Sequence, residues 1–318
     1  MSKKYHIYFH NDFDGVTSAA VLLNFFKKHG GGLASYNPID YAVGLKENWP
    51  NFKLKQPSII VDFLYHPKVT WWFDHHTTSF IKEEWRKEYK NDETHYFDPE
   101  LKSCCGTVLR HLKKEYKYKP PKHIADLVRW ADKIDGGVYA SARQAVIADS
   151  PARKLSLILR EHAIRYGPAS FFKHLVEKLS ALSLAEAVKA PRFDKIIKKN
   201  RERTLKSLKT FNDFSEVHNK VILIDSTKTE FPVSHYMGYL THPEVSWSVL
   251  LNWHDGFFHV SVGRNHWVKR KVGDVHIGKL LSKYGGGGHK NVGGFEKKSK
   301  QTILKNIKDI IKYLNKNG

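Results

Sequence analysis

Tyr5-His6-Ile7-Tyr8-Phe9-His10-Asn11-Asp12-Phe13-Asp14-Gly15 is the stretch whose reading decides the fold of this chain. A short apolar run suited to one buried strand stops on an imidazole and two carboxylates. From Gly15 to His29 the period turns helical, with Val16, Ala19, Ala20, Leu23 and Phe26 apolar before Gly30-Gly31-Gly32. A strand followed directly by a helix opens an α/β unit. Two further runs end the same way: Ser58-Ile59-Ile60-Val61 on Asp62, and Val69-Thr70-Trp71-Trp72-Phe73 on Asp74-His75-His76. Parallel strands bring their carboxyl ends to one edge of a sheet. Four carboxylates crowded there repel one another unless divalent cations neutralise them. A single Asp after a strand is ordinarily a cap or turn residue, and Asp62 alone would be read so. Asp12 with Asp14, and Asp74-His75-His76, outweigh that reading.

His10, Asp12, Asp14, Asp62, Asp74, His75, His76 and Asp132, with Asp135 competing for the last place, make a donor set of oxygen and nitrogen without sulfur. Such donors suit Mn²⁺, with Mg²⁺ as a substitute, while Zn²⁺ and Fe²⁺ stay open. The set is too large for one ion. Two cations about 3.5–4 Å apart would lower the pKa of a water and stabilise charge at phosphorus, which makes phosphoester hydrolysis the expected reaction class. The amino end of the first helix, beside this cluster, would favour a bound phosphate or carboxylate.

With 318 residues, 41% hydrophobic and 27% charged, the chain is long enough for two cores. We expect an α/β protein: a parallel-sheet catalytic domain over 1–180, a heavily charged helical linker over 181–215, and a smaller α/β domain over 216–318. Helices are expected at Gly106 to Tyr116 and Ile124 to Asp132. Strands are expected at Val221-Ile222-Leu223-Ile224, at 246–251 and at 257–262, before a final amphipathic helix on Ile303, Ile307, Ile310 and Leu314. No run approaches the ~20 apolar residues of a membrane span, and the start lacks the apolar block of a secretory signal. The expectation is a soluble cytoplasmic protein without a membrane partner, its oligomeric state open, with a homodimer as the one state named. Cys104 and Cys105, adjacent and the only cysteines, cannot build a disulfide framework. Buried packing is expected for them and for Trp71-Trp72. The formal charge of +21 attracts polyanions, although solvated lysine faces such as Lys297-Lys298-Ser299-Lys300 account for part of it.

A second constellation lies at Gly285-Gly286-Gly287-Gly288-His289-Lys290. A glycine run lets backbone N–H groups approach an anion, and His289 and Lys290 add donors or charge. The GxxxxGK[ST] spacing of a Walker loop is absent. Upstream, Arg264 ends a strand and would clamp a phosphate with its planar fork. Tyr236 and Trp267 are the aromatics expected to stack on a base if they reach the site.

These motifs closely resemble the DHH phosphoesterase superfamily. His10-Asn11-Asp12-Phe13-Asp14-Gly15 matches its first motif, Asp62 the second, Asp74-His75-His76 the third, Ala131-Asp132 a fourth, and Gly286-Gly287-Gly288-His289 the signature of the DHH-associated substrate domain. The His-x-Asp-x-Asp spacing resembles RecJ-type exonucleases, and the motif set as a whole resembles RecJ-like and nanoRNase-like members. The resemblance implies a dinuclear Mn²⁺ centre, with His10 and Asp12 on one ion, Asp14, His75 and Asp132 on the other, and Asp62 bridging. It implies a catalytic supporting role for His76 and Asp74, and substrate contacts from Arg264, Gly286, Gly287, Gly288, His289 and Lys290. The activity it implies is trimming of short single-stranded nucleic acids or nucleotides to mononucleotides. Cleavage of polyphosphate or of the bisphosphate nucleotide pAp is the alternative within hydrolases, and a catalytically silent nucleic-acid-binding module the alternative outside them.

Overall fold

The computed structural model describes residues 3–41, 45–164, 168–254, 256–269, 271–288 and 290–318. They form two compact units, one of Met1–Tyr139 with Asp149–Ile197 and the other of Ala140–Ala148 with Lys198–Gly318. Each is an α/β unit around its own sheet.

In the first unit, strands β1 (Lys4–His10), β2 (Gly32–Ile39), β3 (Ser58–Val61), β4 (Trp71–Asp74) and β5 (His95–Phe97) form an all-parallel sheet in the order β2-β1-β3-β4-β5. Side-chain alternation sorts their residues between two cores. Tyr5, Ile7, Phe9, Ile59, Val61, Trp71 and Phe73 join the larger cluster, which also takes Val16, Ala19, Ala20 and Leu23 of helix Phe13–Lys28. Tyr8, Ile60 and Trp72 face the other way, onto Trp49, Phe63 and Leu64. Trp71 and Trp72 thus anchor opposite faces, and the Trp72 indole N–H donates to the Phe63 carbonyl at 2.9 Å. Pro38 is accommodated because β2 is an edge strand.

The chain order reverses between β1 and β3, and the crevice beyond the strand ends at such a switch point is where open parallel sheets place ligands. Helix Phe13–Lys28 starts immediately after β1. Asp12 caps it by accepting the Gly15 N–H at 3.0 Å. Gly15 is obligatory there, since a Cβ would collide with the His10 carbonyl and stand 2.8 Å from the His10 nitrogen.

The second unit carries a mixed sheet in the order β10-β11-β9-β8-β7-β6, from β6 (Ser215–His218), β7 (Val221–Asp225), β8 (Trp247–His254), β9 (Phe257–Arg264), β10 (Gly287–Gly288) and β11 (Val292–Lys297). Among the described residues only β7 and β8 of this sheet pair in parallel. One face shares a core with Ile303, Ile307, Ile310 and Leu314 of helix Lys300–Asn317. The other packs with Phe211, Phe214, Met237 and Tyr239.

The segment expected as a linker holds helices Leu184–Ala187 and Pro191–Lys209. Phe193 and Ile197 of this segment are buried in the first unit, Phe211 and Phe214 in the second. The division falls inside helix Pro191–Lys209, and the short helix Ala142–Ile147 joins the second unit through Ala142 and Val146. Among the described residues no helix is long and apolar enough to cross a membrane.

Candidate metal centre

The carboxyl ends of β1, β3 and β4 converge as the strand-ending acids require. His10 Nδ1 lies 3.0 Å from Asp12 Oδ2 and 3.7 Å from Asp62 Oδ2. His76 Nδ1 lies 3.6 Å from Asp62 Oδ1 and 2.9 Å from Asp74 Oδ1. His75 Nε2 lies 3.1 Å from Asp135 Oδ2 and 3.7 Å from Asp14 Oδ2. Among the described residues three groups have donor atoms mutually close enough to hold a cation: His10-Asp12-Asp62, Asp14-His75-Asp135, and Asp62-Asp74-His75-His76.

Asp62 is the pivot. It is buried, and neither carboxylate oxygen accepts a hydrogen bond, the imidazoles at 3.6 and 3.7 Å being beyond that range. Its backbone is in the left-handed region, at φ 56°, uncommon for a residue with a Cβ and typical of functional positions. The neighbourhood holds it there: its N–H donates to the Phe73 carbonyl at 3.0 Å and to Cys104 Sγ at 3.2 Å, while that thiol donates to the Phe73 carbonyl at 3.1 Å.

Asp14 is held differently. The backbone N–H groups of Cys104 and Cys105, at the start of helix Cys104–Tyr116, donate to its two oxygens at 2.6 and 2.9 Å. Two helix ends thus receive carboxylates here: Asp12 at the first helix and Asp14 at this one. Ser103, which caps helix Cys104–Tyr116, was the available sequence signal. Asp74 is heavily engaged: Oδ1 accepts from the His75 N–H, the His76 N–H and His76 Nδ1, and Oδ2 from Ser79. It orients His76.

At the fourth motif the two competing carboxylates stand in different contacts. Asp132 Oδ1 accepts the Ser103 hydroxyl at 2.6 Å, and Asp135, one turn on, is the carboxylate beside His75 and Asp14. Asp135 closes helix Lys122–Asp135, an anion at the helix end the macrodipole disfavours. Asp40, after β2, also adds a carboxylate 3.6 Å from His10 Nε2.

Charge follows from these contacts. Burial would depress the His10 pKa, but Asp12, Asp40 and Asp62 carry it well above the usual histidine range. His75 is pushed up to about 9, burial being outweighed by Asp135, Asp14 and Asp74. Burial, then Asp135 and Asp12, push Asp14 up to about 8 against His75 and the Cys105 N–H. Burial and the Asp14 and Asp12 charges raise Asp62. His75 Nδ1 donates to the Leu101 carbonyl at 3.1 Å, which can only accept, so in the neutral ring the Nε2 lone pair faces two carboxylates. That arrangement is stable only with a proton or a cation between them, and a carbonyl-anchored imidazole is the form in which histidine ligates metal.

In the second unit, Arg264 and Lys290 line one recess of about 360 Å³ with Asn265, His266 and Asn291. Lys290 also pairs with Asp274 at 2.8 Å. The glycines serve packing: a Cβ on Gly286 would strike the Gly294 carbonyl, and one on Gly278 the Gly288 carbonyl, so β10 and β11 lie against helix Ile277–Ser282 at backbone contact. The Gly286 N–H is taken by the Leu281 carbonyl at 3.1 Å. Gly287 and Gly288 form β10, and His289 lies outside the described residues. Tyr236 and Trp267 pack on each other, 5.9 Å between centroids, at the margin of a core.

No protein-family model matches this sequence, and no curated protein matches it. The structure does have solved counterparts of the same α/β fold. The pGpG-specific phosphodiesterase PggH of Vibrio cholerae superposes with a TM-score of 0.69 at 17% identity, over 99% of this chain and 100% of that one. RecJ of Thermus thermophilus, in complex with Mn²⁺, gives 0.58 at 15% identity over 99% of this chain and 52% of RecJ, so this chain spans about half of that protein. An exopolyphosphatase-related protein of Bacteroides fragilis gives 0.52 at 15% identity, over 99% and 93%. What they share with this chain is the fold, the one the DHH-type motifs led us to expect.

Proposed function

We propose that this chain is a metal-dependent phosphoesterase, a phosphodiesterase that hydrolyses short oligonucleotides or dinucleotides. The observation that carries the reading is Asp62, a buried carboxylate with both oxygens lacking hydrogen bonds, set between His10-Asp12 and the His75-His76 pair. A carboxylate so placed costs several kcal/mol unless a cation meets it. The donor set fits two divalent ions, Mn²⁺ by preference with Mg²⁺ as substitute. His10, Asp12 and Asp62 would hold one and Asp14, His75 and Asp135 the other. When bound, such a pair supplies Lewis acidity that lowers the pKa of water and neutralises charge on phosphate.

The protein's own groups do the rest. The Cys104 and Cys105 N–H donors fix the angle of Asp14, and the Leu101 carbonyl fixes the tautomer of His75. Asp74 holds His76 by Nδ1, setting the other ring nitrogen as the acceptor in the neutral form. Arg264 and Lys290 would take the substrate's phosphate or end nucleotide in their recess. The whole-chain likeness to a pGpG-specific phosphodiesterase favours small nucleotidic substrates over long strands. Polyphosphate is the second reading, favoured by the likeness to an exopolyphosphatase-related protein and by the charge of +21.

The test is a panel of pGpG, longer oligonucleotides, pAp and polyphosphate, assayed with chelator and with Mn²⁺ restored. Turnover of the nucleotides in Mn²⁺, lost in chelator and in folded Asp62→Ala and His75→Ala proteins, is expected. Full activity of either variant would remove the assignment, and turnover of polyphosphate alone would select the second reading.

A further inference from the structure

The mixed sheet of the second unit runs past the helix that covers it. In register, Trp253 of β8 lies opposite Phe258 of β9, and Phe258 opposite Lys297 of β11, so the three share a face. Deeper along that face, Leu251, Val260 and Phe295 are buried in one core with Ile303 and Ile307. The covering helix begins only at Lys300, so the last row stands beyond it and Trp253 is 50% exposed. Its ring packs on Phe258, 4.3 Å between centroids. A recess of about 480 Å³ opens there, lined by Trp253, Phe258, Ser226, Thr227, Thr229 and Lys300. Lys297, opposite Phe258 on the same face, and Lys300 in the lining make the cationic side of the recess.

We propose that this recess is a second nucleic-acid contact, a stacking platform for an unpaired base of a single strand. The inference rests on the nucleic-acid reading of the function. An exposed indole backed by a phenyl ring offers a π-face to any base, and lysines at its edge meet the backbone phosphates. An apolar protein partner is the poorer fit, because docking it would bury lysines without counter-charge. Phe258 and Arg264 stand six positions apart on β9, roughly 20 Å at about 3.3 Å per residue. The platform and the Arg264–Lys290 recess therefore engage different nucleotides of one strand.

The experiment measures binding of labelled oligonucleotides to the full chain in chelator, where no turnover occurs, comparing a dinucleotide with a single strand of about 12 nucleotides. Trp253→Ala should weaken the long strand by about fivefold or more and leave the dinucleotide unchanged, while Trp253→Phe keeps most of the affinity. Lys300→Gln should weaken the long strand and reduce the slope of log K against log salt by about 0.7. Wild-type affinity in Trp253→Ala, or equal weakening for both lengths, overturns the platform. Trp253-dependent strand binding in a protein that hydrolyses nothing leaves the platform standing and removes the hydrolase; dinucleotide turnover with strand binding indifferent to Trp253 does the reverse.

Discussion

Stripping metal from the centre should make the stability of the first unit fall steeply with pH. Asp14, 1% exposed, has its pKa pushed from 3.8 up to about 8, so the folded state holds a proton that the unfolded chain releases. The stability that proton confers is complete below pH 3.8 and is lost as pH rises through 8. At about 1.4 kcal/mol per pH unit, the window from about pH 5 to pH 8 amounts to roughly 4 kcal/mol. His75, raised from 6.5 to about 9, acts in the same direction: its contribution is complete below 6.5 and lost through 9. Asp12 is held below the usual carboxylate range, since His10 and the Gly15 N–H overcome its burial, and its contribution disappears only under acid outside the window. Thermal unfolding in chelator, followed from about pH 5 to pH 8, should show the midpoint of the first unit dropping by roughly 8–16 °C. Saturating Mn²⁺ replaces the protons and should flatten or reverse the trend. A chelated protein equally stable at both ends of the window, or one that loses the same stability with Mn²⁺ present, would refute the reasoning.

Asp135→Asn should weaken Mn²⁺ binding at least tenfold by calorimetry with little change in folding, whereas Asp132→Asn should cost about 1–3 kcal/mol in urea unfolding through the Ser103 contact and leave metal affinity near wild type. Gly15→Ala should destabilise by about 2–3 kcal/mol, because its Cβ meets the His10 backbone rather than a side chain that can move; an unchanged urea midpoint would contradict the packing. Cys104→Ser should keep both contacts of the thiol and retain Mn²⁺ affinity, while Cys104→Ala releases the strained Asp62 turn and should lower that affinity severalfold, read in the same titration.

The strand-then-acid pattern, read at Asp12 and Asp14, Asp62, and Asp74-His75-His76, was determined by the sequence alone, because alternation and an apolar run's length are local properties. A parallel sheet then has one edge at which to gather those ends, so their convergence followed from the fold class. The choice between Asp132 and Asp135 belonged to the tertiary structure: one turn apart on a helix, they face nearly the same way, and only the docking of Ser103 against one of them separates the roles. The glycine run could not be read locally either, since a backbone that can approach an anion can equally approach another backbone, and helix Ile277–Ser282 occupies that space. Cys104 and Cys105 act on Asp14 through N–H groups every residue but proline possesses. The Ser103 cap marks where that helix starts, but only the packing of helix Cys104–Tyr116 beside the strand ends brings those N–H groups to Asp14.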